Sequence, residues 1–156
     1  MIDPRSEKNI ASCHPDAQSR FRAFVADAQA LAAAEGLQYK VICGLRSWEE
    51  QERLYAQGRT TPGKIVTRAR PGSSMHNFGL AIDMGVFRGD KYLDEVEPKT
   101  ADAFHNKAAL LADKHNLRWG GHFKTIYDAP HYELDVALSL AQLRELRVPG
   151  KWVALA

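Results

Sequence analysis

Apolar residues Phe21, Phe24, Val25, Ala28, Leu31 and Ala32 recur at the i, i+3, i+4, i+7 spacing of a helix with one apolar face, which predicts a helix from Asp16 to Glu35. Gly36 stands where such a helix ends, because glycine adopts a left-handed cap conformation without steric cost. A second stripe, Ala103, Phe104, Ala108, Leu111 and Ala112, predicts a long helix over Thr100 to Asn116. Ser47-Trp48-Glu49-Glu50 sets a serine three residues before a glutamate, the signature of a capped helix start, and this helix runs to about Gln57 before Gly58. Leu140, Leu143 and Leu146 mark a last helix over about Ser139 to Leu146.

Elsewhere the spacing favours strands. Leu37 to Gly44 carries Tyr39, Val41 and Ile42, residue types that favour extended structure. Over residues 80–87, Leu80, Ile82, Met84 and Val86 fall on one face, and Ala81, Asp83, Gly85 and Phe87 on the other. Leu117 to Gly121 reads as a short strand and turn. Pro130 suits the head of a strand in which His131, Glu133 and Asp135 alternate with Tyr132, Leu134 and Val136. Residues 1–15 are polar and punctuated by proline, and are expected to form a loosely held lead-in; residues 58–73 and 88–99 are polar connections. The element order predicts an α+β fold, and 156 residues are enough for one domain, 1–156, with a substantial core.

One position in this pattern demands chemistry. Asp83 lies on a strand among aliphatic residues, and an ionised carboxylate buried without a partner is costly. A metal ion is an economical partner, with His76 just upstream to share it. If the strands at 80–87 and 131–136 pair, Asp83 and His131 face the same side. Two imidazoles and a carboxylate then form a three-ligand zinc set with a fourth position left for water. His105 and His115 lie almost three turns apart on the expected second long helix, too far apart to share a metal, and read as surface residues. Cys13 and Cys43 form neither a metal-binding pair nor a disulfide framework; both are expected to be reduced, with Cys43 an inert thiol buried in a core strand.

These residues carry a resemblance. Ser74-x-His76-x-x-Gly79-x-Ala81-x-Asp83 followed by Asp128-x-Pro130-His131 resembles the zinc peptidases that cut bacterial wall peptides: D-alanyl-D-alanine carboxypeptidases and dipeptidases, and phage endolysins that are L-alanyl-D-glutamate endopeptidases. Gly44-x-Arg46-Ser47 with Gln51, and Trp119-Gly120-Gly121, extend the similarity over about residues 40–135. The resemblance implies a small, mainly antiparallel sheet with helices packed around it and a zinc cleft, as in the related hedgehog signalling domains. It implies Zn2+ on His76, Asp83 and His131, with Asp128 as the catalytic base. It also implies that Arg46 binds a substrate carboxylate or carbonyl and that Ser74 hydrogen-bonds substrate. From the residues alone, Asp128 suits an Asx turn entering the strand, Arg46 a solvated position, and Ser74 a tie for the loop before His76. Glu133 is the rival base, or a partner holding a ligand imidazole. His122 departs from the Asp or Asn common after the paired glycines and stays outside the ligand set.

Charge and targeting narrow the setting. Twenty-one Lys and Arg against nineteen Asp and Glu give a net charge of +2, which does not call for nucleic acid. The basic stretch at 58–73, with Arg59, Lys64, Arg68 and Arg70, is a solvated loop or a surface attracted to anionic wall polymer. The N-terminus lacks the basic start and apolar run of a signal peptide, and no stretch has the length of a membrane span. The expectation is a cytoplasmically made monomer that acts on the stem peptide of peptidoglycan after release, as a phage or prophage endolysin does. No wall-binding module is visible, which points to a thin wall such as that of Gram-negative hosts. Asp128-Ala129-Pro130-His131 matches the endopeptidase branch, where carboxypeptidases carry a glutamate before the second histidine. The alternatives are a D-alanyl-D-alanine carboxypeptidase or dipeptidase, and a zinc-stabilised binding domain without catalysis.

Overall fold

A computed structural model of the chain describes residues 1–155. Its centre is β2 (Ala81–Arg88), which pairs antiparallel with β1 (Gln38–Cys43) on one side and β5 (His131–Leu134) on the other. β4 (Leu117–Trp119) pairs antiparallel with β5, giving the order β1-β2-β5-β4. The two-residue β3 (Lys91–Tyr92) folds back on β2 through a turn at Gly89, whose φ is 60°. Helices complete an α+β architecture: α1 (Pro4–Ala11), α2 (Pro15–Ala34), α3 (Trp48–Ala56), α4 (Leu93–Val96), α5 (Pro98–Ala109) and α6 (Leu140–Leu146).

The alternation of β2 decides which face is core. Leu80, Ile82, Met84 and Val86 are wholly buried, with Tyr132 and Leu134 of β5 beside them. Against this face α2 lays Phe21, Phe24, Val25, Ala28 and Ala32, with the Phe24 and Tyr132 rings 4.4 Å apart. Pro15 starts α2 and the His14 ring accepts from Asp16 N at 3.1 Å, satisfying one of the amides left free in a first turn. Emptying Phe24 to alanine would cost about 3–5 kcal/mol, the range for a large ring removed from a packed core.

The first fifteen residues are not a loose lead-in. Asp3 caps α1 by accepting from Ser6 N at 3.0 Å, and Ile10 and Cys13 are fully buried. Val41 N donates to Ser6 Oγ at 2.9 Å and Val41 O accepts from Asn9 Nδ2 at 2.8 Å. The polar residues of α1 thus satisfy the backbone of edge strand β1.

The helix expected over Thr100–Asn116 ends at Ala109; tight turns follow, closed by Asn116 at φ 59°, and they keep Ala112 buried without continuing the helix. Residues 88–99 hold β3 and α4. His105 is buried, not exposed, with one ring nitrogen on the Tyr39 hydroxyl and the other on Asp94; His115 is also largely covered and bonds Asp27. In α6, Leu143 is buried but Leu146 faces solvent. No helix among the described residues is long and apolar enough to cross a membrane.

Candidate metal centre

On the face of the sheet opposite α2, Asp83 of β2 stands between its two cross-strand partners, Cys43 of β1 and His131 of β5. A bulge in β1 produces the first pairing. Val41 faces Met84, and one residue is then skipped so that Cys43, and not Ile42, stands opposite Asp83. Cys43 is therefore only part buried and lies at the site, with Sγ 3.8 Å from His76 Nδ1, which corrects its placement in the core.

His76 arrives from outside the sheet on a 3-10 turn, Met75–Phe78. Ser74 opens that turn by accepting from His76 N at 3.3 Å, and Gly79 closes it at φ 69°. A Cβ on Gly79 would also come within 2.5 Å of His14 N and 2.7 Å of the Trp152 ring, so this position requires glycine for both backbone and space.

The outer contacts of the two imidazoles fix their inner nitrogens. His76 Nδ1 lies 2.8 Å from the Gly44 carbonyl oxygen, which can only accept, so Nδ1 carries the proton. His131 Nε2 lies 2.8 Å from Glu133 Oε1 and by the same reasoning donates to it. This leaves His76 Nε2 3.1 Å and His131 Nδ1 3.2 Å from the same oxygen, Asp83 Oδ1. Two ring lone pairs thus meet at one carboxylate oxygen, and only a positive charge reconciles the three. The tight ligand groupings are His76 with Asp83 and Cys43, and His131 with Asp83 and Asp128, so one ion shared by both histidines would draw the rings closer together. Burial works against a charged His76, yet the Asp83 carboxylate outweighs it and pushes the ring up to about 10. For His131 burial again opposes, and hydrogen bonds to Asp83 and Glu133 push it up to about 8. Burial would raise the Asp83 carboxyl, but the two imidazoles hold it far below the usual carboxylate range. A divalent metal ion fits this nitrogen, nitrogen, oxygen set in place of protons.

Asp128 stands beside the set, Oδ2 4.0 Å from His131 Nδ1, with its side chain 43% exposed. Trp119-Gly120-Gly121 is the platform that holds it. Trp119 Nε1 donates to Ala129 O at 2.7 Å and Asp128 N donates to Gly120 O at 3.0 Å, while a Cβ on Gly120 would collide with the Asp128 carbonyl. Burial pushes the Asp128 carboxyl up, and the Asp83 charge adds to that against the pull of His131.

Arg46 reaches the site from the other side, 3.9 Å from Asp83 Oδ2, and its Nε is buried with no partner among the described residues. Wholly buried Gln51 accepts from Arg46 at 3.1 Å and from Asn77 at 3.3 Å, and donates to Ala69 O at 2.8 Å. This triad ties the basic loop to the turn bearing His76. Asp83, His76, His131, Asp128, Arg46 and Ser74 all line one cleft of about 1070 Å3, which Val66 to Ala69, Phe123, Thr125 and Ile126 also line. His122 packs edge-on against Trp119, outside this cleft.

Sequence reasoning missed Cys43, Asn77 and Arg118. Arg118 pairs with Glu133 at the cleft rim and had one available signal, its place between Leu117 and Trp119, whose burial turns it to the opposite face.

Residues 67–134 match the profile of the family described as D-alanyl-D-alanine carboxypeptidase, a span holding both histidines, Asp83 and Asp128 but not Arg46. The chain is 39% identical over 112 residues to the peptidoglycan L-alanyl-D-glutamate endopeptidase CwlK of Bacillus subtilis (strain 168). That alignment covers 68% of this chain and 66% of CwlK, so the chain spans just under two thirds of that protein's length. In fold it is similar to the Serratia marcescens L-Ala D-Glu endopeptidase ChiX, with a TM-score of 0.56 at 23% identity over 85% of this chain and 87% of ChiX. A vancomycin-resistance D,D-pentapeptidase, VanY, solved in complex with Zn(II), superposes with a TM-score of 0.50 at 18% identity over 72% of this chain and 69% of that one.

Proposed function

We propose, from the similarity of residues 67–134 to the D-alanyl-D-alanine carboxypeptidase family and of the chain to an L-alanyl-D-glutamate endopeptidase, that this protein is a zinc peptidase of that family cutting the L-alanyl-D-glutamate bond of the peptidoglycan stem peptide. The observation that carries the metal assignment is the convergence of His76 Nε2, His131 Nδ1 and Asp83 Oδ1, with both outer ring nitrogens already committed as donors. The 39% identity to an L-alanyl-D-glutamate endopeptidase supports the choice of bond.

His76, Asp83 and His131 would hold zinc. Bound there, it would polarise a scissile carbonyl and make water more acidic. Asp128 is the group free to move the proton. Both oxygens of the rival, Glu133, are taken, one by His131 and one by Arg118, whereas the Asp128 carboxylate is part exposed in the cleft. Asp128 takes one proton from the attacking water and returns it to the leaving amine as the carbon–nitrogen bond breaks, so the step balances without another reactant. Arg46 lines the cleft and is held by Gln51, so it supplies a fixed cation for a substrate carboxylate or carbonyl. Ser74 already accepts from His76 N, and its hydroxyl proton can donate to substrate.

The setting belongs to the same proposal: a monomer made in the cytoplasm and released onto the wall as a phage or prophage lysis enzyme. Incubating the protein with a stem peptide ending in D-alanyl-D-alanine, then identifying the products by mass spectrometry, tests the activity. Cleavage after L-alanine with no free D-alanine is expected. Free D-alanine alone would replace this reading with the carboxypeptidase one. An intact peptide with zinc bound would leave a binding domain.

A further inference from the structure

Glu133 divides its carboxylate between two partners. Oε1 accepts from His131 Nε2 at 2.8 Å, and Oε2 accepts from Arg118 Nη2. Sheet register sets this up. Arg118 of β4 and Glu133 of β5 are direct cross-strand partners, and Ala81 of β2 lies on the other side of Glu133. This row lies two residue pairs along from the row of Cys43, Asp83 and His131, and therefore on the same face of the sheet. The side chains of His131 and Glu133 are 9% and 7% exposed, whereas that of Arg118 is 52% exposed. Arg118 is therefore the solvent-facing end of a chain that runs through Glu133 and His131 to Asp83.

We propose that Arg118 is a positioning residue for the metal centre: by holding Glu133 Oε2 it keeps Oε1 on His131 Nε2 and so aims His131 Nδ1 at the site. A glutamate held by one oxygen can rotate; held by both, it offers the ring a fixed acceptor. A nearly buried carboxylate that lost its cation would be drawn toward water and away from the imidazole. The other use of an arginine at a cleft rim is direct capture of a substrate carboxylate. Here that use is disfavoured. The guanidinium is committed to Glu133, and Asp135 lies 4.0 Å from its Nε, so two carboxylates balance it before substrate arrives.

The proposal rests on His131 being a metal ligand, and its test reads metal affinity as well as turnover. Zinc would be titrated against a chromophoric chelator in the full-length wild type, Arg118→Met, Arg118→Lys, Glu133→Gln and the Arg118→Met/Glu133→Gln double variant, each checked for fold by circular dichroism. Arg118→Met is expected to bind zinc about 10- to 100-fold more weakly, the usual effect of losing a group that supports a ligand. Arg118→Lys should recover part of the loss, and the double variant should bind no more weakly than Glu133→Gln alone. Wild-type affinity in Arg118→Met, or a raised KM with affinity unchanged, would overturn the proposal alone. A wild type that binds no zinc would overturn the metal reading beneath it as well.

Discussion

The sheet carries a histidine–carboxylate cluster on each face, and the two are built on opposite rules. On the core face the hydrogen bonds can all run in one direction: Asp94 only accepts, so His105 Nε2 donates to it, which frees Nδ1 to accept from the Tyr39 hydroxyl and Tyr39 to accept from Tyr132, while Asp94 also accepts from Val86 N at 2.8 Å. Donors and acceptors match along the whole chain, so this cluster needs nothing from outside and serves to tie β1, β2, β5 and α5 together. On the site face, His76, His131 and Asp83 present three acceptors to one another across 3.1 and 3.2 Å, at the floor of an open cleft. That cluster is complete only with a cation. The residue types are nearly the same; what separates structural glue from a reactive site is whether the donor count closes.

The sharpest way to separate the faces is to disable chemistry without touching stability. Asp128→Asn should lose roughly 10²–10⁴-fold in turnover, as expected for loss of a general base, with zinc content and melting temperature unchanged. Near-wild-type turnover would end the assignment of Asp128. The reverse experiment is Tyr39→Phe, which leaves the Tyr132 hydroxyl and His105 Nδ1 without their shared partner. It should cost about 1–3 kcal/mol in denaturant unfolding and leave zinc stoichiometry intact. Loss of metal at unchanged stability would show that the two faces are not independent.

A smaller effect is expected in pH dependence. Without metal, protons hold the site face together, because the folded rings of His76 and His131 sit near 10 and 8 against an ordinary value of 6.5. A group raised on folding contributes fully below its unfolded value and loses that contribution as pH climbs through its folded value. The chelated protein should therefore lose melting temperature progressively from about pH 6.5 to pH 10, a trend weakened by added zinc. A flat profile in chelator would mean that the rings carry no such protons.

Much of this was legible in the sequence, for local reasons. Asp83 among alternating aliphatics, His131 behind a strand-opening proline, and His76 ahead of Gly79 are all set by spacing along the chain, and pairing β2 with β5 brings the carboxylate to both imidazoles. What could not be read depends on partners distant in sequence. Cys43 reaches the site only because β1 carries a bulge, and Arg118 meets Glu133 only through the register of β4. Residues 1–15 looked loose because their polar side chains are spent on the edge of β1, although Asp3-Pro4 was a visible helix-start signal. His105 looked like a surface residue because a helical stripe cannot show that α4 delivers Asp94 to it.

Zinc stoichiometry by elemental analysis, measured on wild-type protein and on His76→Ala and His131→Ala after equilibration with zinc and gel filtration, tests the shared cation most directly. One ion per chain in the wild type and none retained in either variant, each still folded by circular dichroism, is the predicted result. A wild type without metal, or a full equivalent kept by both variants, would contradict the assignment of these three residues as one cation site.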